Sequence, residues 1–452
     1  MSVTETITLN NLELTRIFFA IVLLLISAHF FGYLFHRFKL PRVIGEIFGG
    51  LLLGPTGLGF IFPEAHNWIF NAFEAEGKLL SIIYWFGLVL LMFISGFELQ
   101  KSIDRQDRKL ISITLLGATV LPFLAGWLAP SFYDFSPYLG SKSNMPALTL
   151  IIAIAVAVTS IPVISKIFLD LNIIDTRFAK IILATATIQD VILWVALAIA
   201  TGLVSTQSLS LSKITGTVII TIGFFGLALF VMPKLIKFSS RLRYNLLIKS
   251  SASGYVLLVC FLFSAVASIL EINIVFGAFL AGIVIGVIPQ EQFGKEKTHI
   301  REISLAFFIP LYFAIVGLKL DLIRHFDVLF FLGFLLFSTA FESLGTLVAL
   351  KLTRNDWLSS FNIAVAMNTR GGPGIVLATV AFDLGIINQT FFATLVLIAI
   401  VTSLLAGYWF RFVTLRGWPL LNSGRLETLT LPSQQRRELS PAKTPLMQDN
   451  HP

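Results

Sequence analysis

Three short groups of residues in this chain have the types and spacing to handle a cation or a proton. The first is Gln189-Asp190, set in Ala184-Thr185-Ala186-Thr187-Ile188-Gln189-Asp190-Val191-Ile192-Leu193-Trp194, near the middle of an otherwise apolar segment. A carboxylate at that depth costs about 2.5–3.5 kcal/mol on insertion scales, so Asp190 is not expected to face lipid. A proton or a bound cation each relieves its charge, and choosing between them is the chemistry of exchange. The plainer reading is a carboxylate buried in a structural hydrogen-bond network. Thr187 lies three residues before Asp190 and shares its helix face, while Thr185 lies four before Gln189. Hydroxyl, amide and carboxylate oxygens suit a hard monovalent cation at Asp190 rather than zinc or copper.

The second and third groups are Thr159-Ser160-Ile161-Pro162 and Arg370-Gly371-Gly372-Pro373-Gly374. Pro162 removes an internal hydrogen bond and kinks a helix, and the Gly-Gly-Pro run is still less able to stay helical. Broken backbone at membrane depth is tolerated only where protein or a water-filled cavity surrounds it. In transporters such interruptions present half-helix ends and free carbonyls to ions; the alternative is a pair of packing kinks. Arg370 adjoins its break as a permanent charge, able to neutralise buried carboxylates or to serve a purely structural pairing. No GxxxxGK, GxSxG, HExxH or Cys pair occurs, so ATP-driven transport, serine hydrolysis and zinc chemistry have no support. Neither an enzyme nor a cofactor is expected, and the single Cys260 excludes intramolecular disulfides.

The elements that must position these groups are membrane helices. With 56% hydrophobic and 13% charged residues, the chain cannot cover itself with polar surface. Thirteen apolar segments lie between residues 14 and 411, the fifth at 146–166, the sixth at 178–203 and the twelfth at 357–384. When alternate connections are assigned to opposite sides, 26 of the 33 Lys and Arg fall on one side and six on the other, with Arg370 inside a segment. The positive-inside rule then puts the N-terminus outside and the C-terminus in the cytoplasm. That asymmetry also gives the net charge of +8 a membrane explanation and removes any need for nucleic acid. Glu5 and Glu13 precede the first segment, which reads as a span and not as a secretory signal. An expected membrane domain, 1–411, is followed by a polar, Pro-containing tail, 412–452, expected to be a disordered cytoplasmic extension. Segments four to six and eleven to thirteen each carry a break in the central member and run in opposite directions, the inverted-repeat pattern of secondary transporters.

These residues resemble the monovalent cation:proton antiporter superfamily, in the branch of Kef-type antiporters, sodium/proton antiporters and plant cation/proton exchangers. The resemblance rests on Pro41-Arg42-Val43-Ile44-Gly45-Glu46 through Leu53-Gly54-Pro55-Thr56-Gly57, and on Ala157-Val158-Thr159-Ser160-Ile161-Pro162. Gln189-Asp190 matches the ion-binding pair, and Phe276-Gly277-Ala278-Phe279, Pro310-Leu311-Tyr312-Phe313-Ala314 and Met367-Asn368-Thr369-Arg370-Gly371 follow in the family's order over roughly residues 30–411. It implies an all-α membrane protein with the sodium/proton antiporter fold, two crossed interrupted helices, a moving core and a static domain, assembled as a homodimer in the lipid bilayer. It implies exchange of H⁺ for Na⁺ or K⁺ by alternating access around Asp190, with Thr159 and Gln189 nearby. A bacterial inner membrane is the expected location. A cation-coupled symporter of an organic solute shares the architecture and stays open, as does a non-transporting receptor. Regulation through a cytosolic nucleotide-binding domain or a large plant-type tail is not expected. Where many relatives place a Lys, the eleventh segment has Glu342. Three roles are open to it: a second ion- or proton-binding carboxylate, a like charge that raises the proton affinity of Asp190, or a partner for Arg370. Lys319, at a helix end, is expected to extend to the outer surface.

Overall fold

The computed structural model describes residues 9–38, 40–73, 75–98, 107–205, 211–241 and 246–421. It is built of helices, eight of which begin with a side-chain cap. Asn10 and Glu13 form a reciprocal capping box at the start of α1, Asn11–Arg37. There follow α2 (Arg42–Leu53), α3 (Glu76–Glu98), α4 (Arg108–Leu115), α5 (Leu121–Leu128), α6 (Met145–Ala157), α7 (Ile161–Asp170), α8 (Arg177–Ser205) and α9 (Leu211–Phe230). The second half contains α10 (Ala252–Ile269), α11 (Ile274–Val287), α12 (Gln290–Ile303), α13 (Ile309–Leu318), α14 (Val328–Leu352), α15 (Trp357–Met367), α16 (Gly371–Asp383) and α17 (Gln389–Leu415). Asn144, Asp327, Asp356 and Asn388 each accept a backbone N–H in the first turn of the helix they precede.

Among the described residues, eleven helical spans are long and apolar enough to cross a membrane. The protein is therefore an integral membrane protein. The other two expected crossings are α11, only 14 residues long, and the interrupted pair α15–α16. A count of thirteen crossings is thus not established by helix length. The last helix runs to Leu415, four residues into the segment expected to be tail, because Phe412 and Val413 continue its apolar face. Residues 416–421, also in the segment expected to be disordered, pack back on the helices, with Leu420 and Leu421 buried and Asn362 Nδ2 donating to Leu420 O; the rest of that segment lies outside the described residues.

The helices pack as two groups. In one, α1, α2, α3, α10, α11 and α13 contact one another; in the other, α4 to α8 pack with α14 to α17. Close approach within the first group rests on small residues. A Cβ at Gly50 would lie 1.8 Å from the carbonyl oxygen of Ala314, and one at Gly317 2.0 Å from that of Ile47. Two π-helical turns, Leu116–Val120 between α4 and α5 and Ser304–Phe308 between α12 and α13, each lend a mid-turn carbonyl to another helix. Ala118 O accepts from Gln189 Nε2, and Ala306 O lies 3.0 Å from His29 Nε2.

Candidate functional site

The second group is organised around a crossing of two interrupted helices. Between α6 and α7 the chain is non-helical at Val158, Thr159 and Ser160; between α15 and α16 it is non-helical at Thr369, with Asn368 and Arg370 flanking. Pro162 and Pro373 are not mid-helix kinks. They sit in the first turns of α7 and α16, where a missing N–H costs nothing. The breaks lie just ahead of them.

Four half-helix ends meet here, and each break caps the other. Ser160 N donates to Thr369 O at 2.5 Å, joining the two crossing strands. Ser160 Oγ accepts from Gly372 N at 3.2 Å and from Val163 N at 3.4 Å, so one hydroxyl serves the starts of both α16 and α7. Thr159 Oγ1 donates to Met367 O at 2.5 Å, at the end of α15. At the end of α6, Arg370 donates to Ala155 O and Val156 O, the polarity favoured at a helix C-terminus. Gly371 has φ +30°, and a Cβ there would lie 2.4 Å from Val163 Cγ2 and 2.6 Å from Ser160 Oγ. Only glycine fits that position.

Arg370 is buried and fully engaged. Its Nη2 is 2.7 Å from Glu342 Oε2 on α14, and its Nη1 donates to Asn368 Oδ1 at 2.7 Å. Of the three roles open to Glu342, the structure has the pairing with Arg370; the side chain is wholly buried, with Thr159 Oγ1 3.5 Å from its Oε1. Asn368, which pattern reading passed over, anchors this arrangement by donating to Thr339 O and Ser343 Oγ.

Asp190 stands apart from that pair. It is 4% exposed, midway along α8, and its Oδ1 is buried with no hydrogen bond from any described residue. A small cavity joins it to both broken helices: Asp190, Val158 and Pro373 line it together with Ile154, Trp194 and Leu377. Gln189 Nε2 donates to Ala157 O at 2.6 Å and Ala118 O at 2.9 Å, fastening α8 to the first break and the π turn. Its Oε1 is a second buried acceptor without a donor. Thr187 and Thr185 return their hydroxyl hydrogens to their own helix, at Leu183 O and Ile181 O. A buried carboxylate oxygen with no protein donor is costly unless something else meets it, and a proton or a desolvated cation does so. Lys319 does not extend freely to the surface: its Nζ is 2.8 Å from Asp383 Oδ1.

The description of one family model, the sodium/hydrogen exchanger transmembrane domain, fits residues 23–416. The chain belongs to the sodium/hydrogen exchanger family. Its relatives in this family include cation/H⁺ antiporter 17 of Arabidopsis thaliana, 29% identical over 87% of this chain and 48% of that protein. K⁺/H⁺ antiporter 1 of Saccharomyces cerevisiae is 28% identical over 87% of this chain and 46% of its own length. The chain thus spans about half the length of those two relatives. The Na⁺/H⁺ antiporter NhaS4 of Synechocystis is 25% identical over 85% of this chain and 94% of its own. Among solved structures, the sodium proton antiporter MjNhaP1 of Methanocaldococcus jannaschii superposes with a TM-score of 0.61 at 15% identity, covering 89% of this chain and 99% of that one. The exchanger fold expected from the sequence is therefore the fold this chain has.

Proposed function

We propose that this chain exchanges H⁺ for Na⁺ or K⁺ across the membrane, with Asp190 carrying proton and cation in alternation. One observation carries the reading: among the described residues, Asp190 Oδ1 is buried without a donor in a cavity shared with both helix breaks, while the cation of the crossing, Arg370, is committed to Glu342. The carboxylate is left as an unmatched negative charge in an apolar interior, which either cargo neutralises. Gln189, through Oε1, and Thr159 supply further oxygen near the crossing. Ser160, Gly371, Gly372, Pro162 and Pro373 hold the break, and Glu342 and Arg370 act as a fixed counter-ion pair and not as ligands.

Two lines of support favour antiport over a cation-coupled symporter of an organic solute. Asp190's cavity has room for about one water molecule, and the relatives named above bear antiporter names. The proposed orientation has the N-terminus outside and the C-terminus in the cytoplasm, on the asymmetry of Lys and Arg. A homodimer in a bacterial inner membrane belongs to the same reading, on the resemblance of the sequence.

The test is proton flux in inside-out vesicles with an acidic interior, on adding Na⁺, K⁺ or Li⁺ in turn. Wild type should dissipate the pH gradient when its cation is added, and Asp190→Asn should not, at equal amounts in the membrane. Because both cargoes compete for one carboxylate, the apparent cation KM should rise as pH falls, approaching about tenfold per unit in the acid limit. Full activity in Asp190→Asn would sink the assignment.

A further inference from the structure

The helix that starts at the crossing ends in a second polar cluster, which binding at Asp190 does not use. From Gly371, α16 runs 13 residues to Asp383, about 20 Å at 1.5 Å per residue. Asp383 Oδ1 accepts from Lys319 Nζ at 2.8 Å, and Oδ2 accepts from the Tyr84 hydroxyl at 2.7 Å. The same ammonium lies over the Tyr84 ring, 3.9 Å from its centroid. One turn back along α16, Thr379 Oγ1 is 3.0 Å from the Tyr312 hydroxyl. Thr379 and Asp383 share a face of α16, and Tyr312 and Lys319, seven apart, bracket the end of α13, so the two helices meet in two rungs.

These bonds cross the seam between the two packing groups. Tyr84, Tyr312 and Lys319 belong with α3 and α13; Thr379 and Asp383 belong with α16. They gather at the face where α1 begins. There Arg16 donates to Ala72 O, Thr56 Oγ1 donates to Leu320 O, and Gly140 N donates to Ile386 O. The Lys319 and Asp383 side chains are 29% and 15% exposed and sit at the ends of their helices, where water can solvate both charges once they separate. An apolar seam offers no such compensation for opening. Leu377, Trp194 and Leu197 line the cavity of Asp190 and are buried, and each lies further along its helix than Asp190 or Pro373.

We propose that Asp383, Lys319 and Tyr84 form a latch across this seam, and that its release opens Asp190 to the face where α1 begins. They are positioning residues: they touch no ion, but set which face the site sees. The purpose of the latch rests on the exchange reading above, whereas its test does not.

In a Cys260→Ser background, Leu197→Cys serves as reporter, with Leu377→Cys as a second. Reconstituted protein is treated with a membrane-impermeant maleimide from the face where α1 begins. Labelling should be slow with the latch intact and about tenfold faster in Lys319→Gln or Asp383→Asn, the shift expected from losing roughly 1.4 kcal/mol of closure. The double variant should be no faster than either single one, and the exchanged pair Lys319→Asp/Asp383→Lys should return to the slow rate. Equal rates with and without the latch, at a reporter that reacts fully after denaturation, overturn the proposal. Labelling needs no transported cation. Faster labelling in a protein without cation-driven proton flux would therefore support the latch while removing the exchange assignment.

Discussion

One hydroxyl, Ser160 Oγ, accepts from the first turns of two different helices, and beside it a single guanidinium meets the carbonyl end of a third. At this scale the site is a set of mutual caps, with Asp190 left out of the bonding. The Glu342–Arg370 pair is buried on both sides, and removing one partner of such a pair typically costs about 3–5 kcal/mol. Glu342→Gln should lower the thermal midpoint in detergent accordingly. It should also raise the cation KM about tenfold, because a freed guanidinium favours the ionised, cation-free Asp190. Unchanged melting and unchanged KM would remove the counter-ion role. Asp190 and Gln189 were legible in the sequence because polar residues in an apolar run stand out. The pairing of Glu342 was open among three roles, since one short motif does not fix which of two buried charges a third will meet. The capture of Lys319 by Asp383 was not legible. Their segments lie 64 residues apart, and only the fold brings those ends together.

At the scale of elements, the breaks were legible from Thr-Ser-Ile-Pro and Arg-Gly-Gly-Pro, but their geometry was not. Proline marks where a new helix begins, so the interruption precedes it. The π turns left no sequence signal, because an extra residue in a helix carries no characteristic side chain. Yet Ala118, in one of them, supplies a carbonyl that holds Gln189. Helix contacts without side chains were equally hidden. The α2–α13 contact leaves no room for a Cβ at Gly317, whereas Gly333, on α14, has nothing within 4 Å. Gly317→Ala should therefore destabilise the protein, toward the upper end of the about 1–3 kcal/mol typical of overpacking. Gly333→Ala should be neutral or slightly stabilising, since alanine is the better helix former. Paired thermal midpoints check both, and equal midpoints would mean that α2 and α13 separate at little cost.

For the whole molecule, the apolar segments and the distribution of Lys and Arg were enough to read a many-helix membrane protein. The division into two packing groups came only with the family resemblance and not from composition, because lipid-facing and group-facing apolar residues have the same composition. Charge is the property that belongs to this scale. With Arg370 and Glu342 cancelling, Asp190 presents one net negative charge at the crossing. On the proposed exchange, one proton or one monovalent cation fills it, and transport should carry no net charge. On a solid-supported membrane, a cation jump should give no sustained current, and proton flux should not respond to an imposed voltage. A steady current that reverses with the cation gradient would show that a second charge moves.

The buried Glu342–Arg370 pair also limits what such a protein could accomplish in a cell. If one proton returns for every cation expelled, the two concentration ratios across the membrane become equal at rest, and membrane voltage adds nothing. A pH difference of one unit then sustains about a tenfold cation difference and no more. Expelling salt against a steeper slope would fall to other machinery, and a loss of the pH difference would run this exchanger backwards.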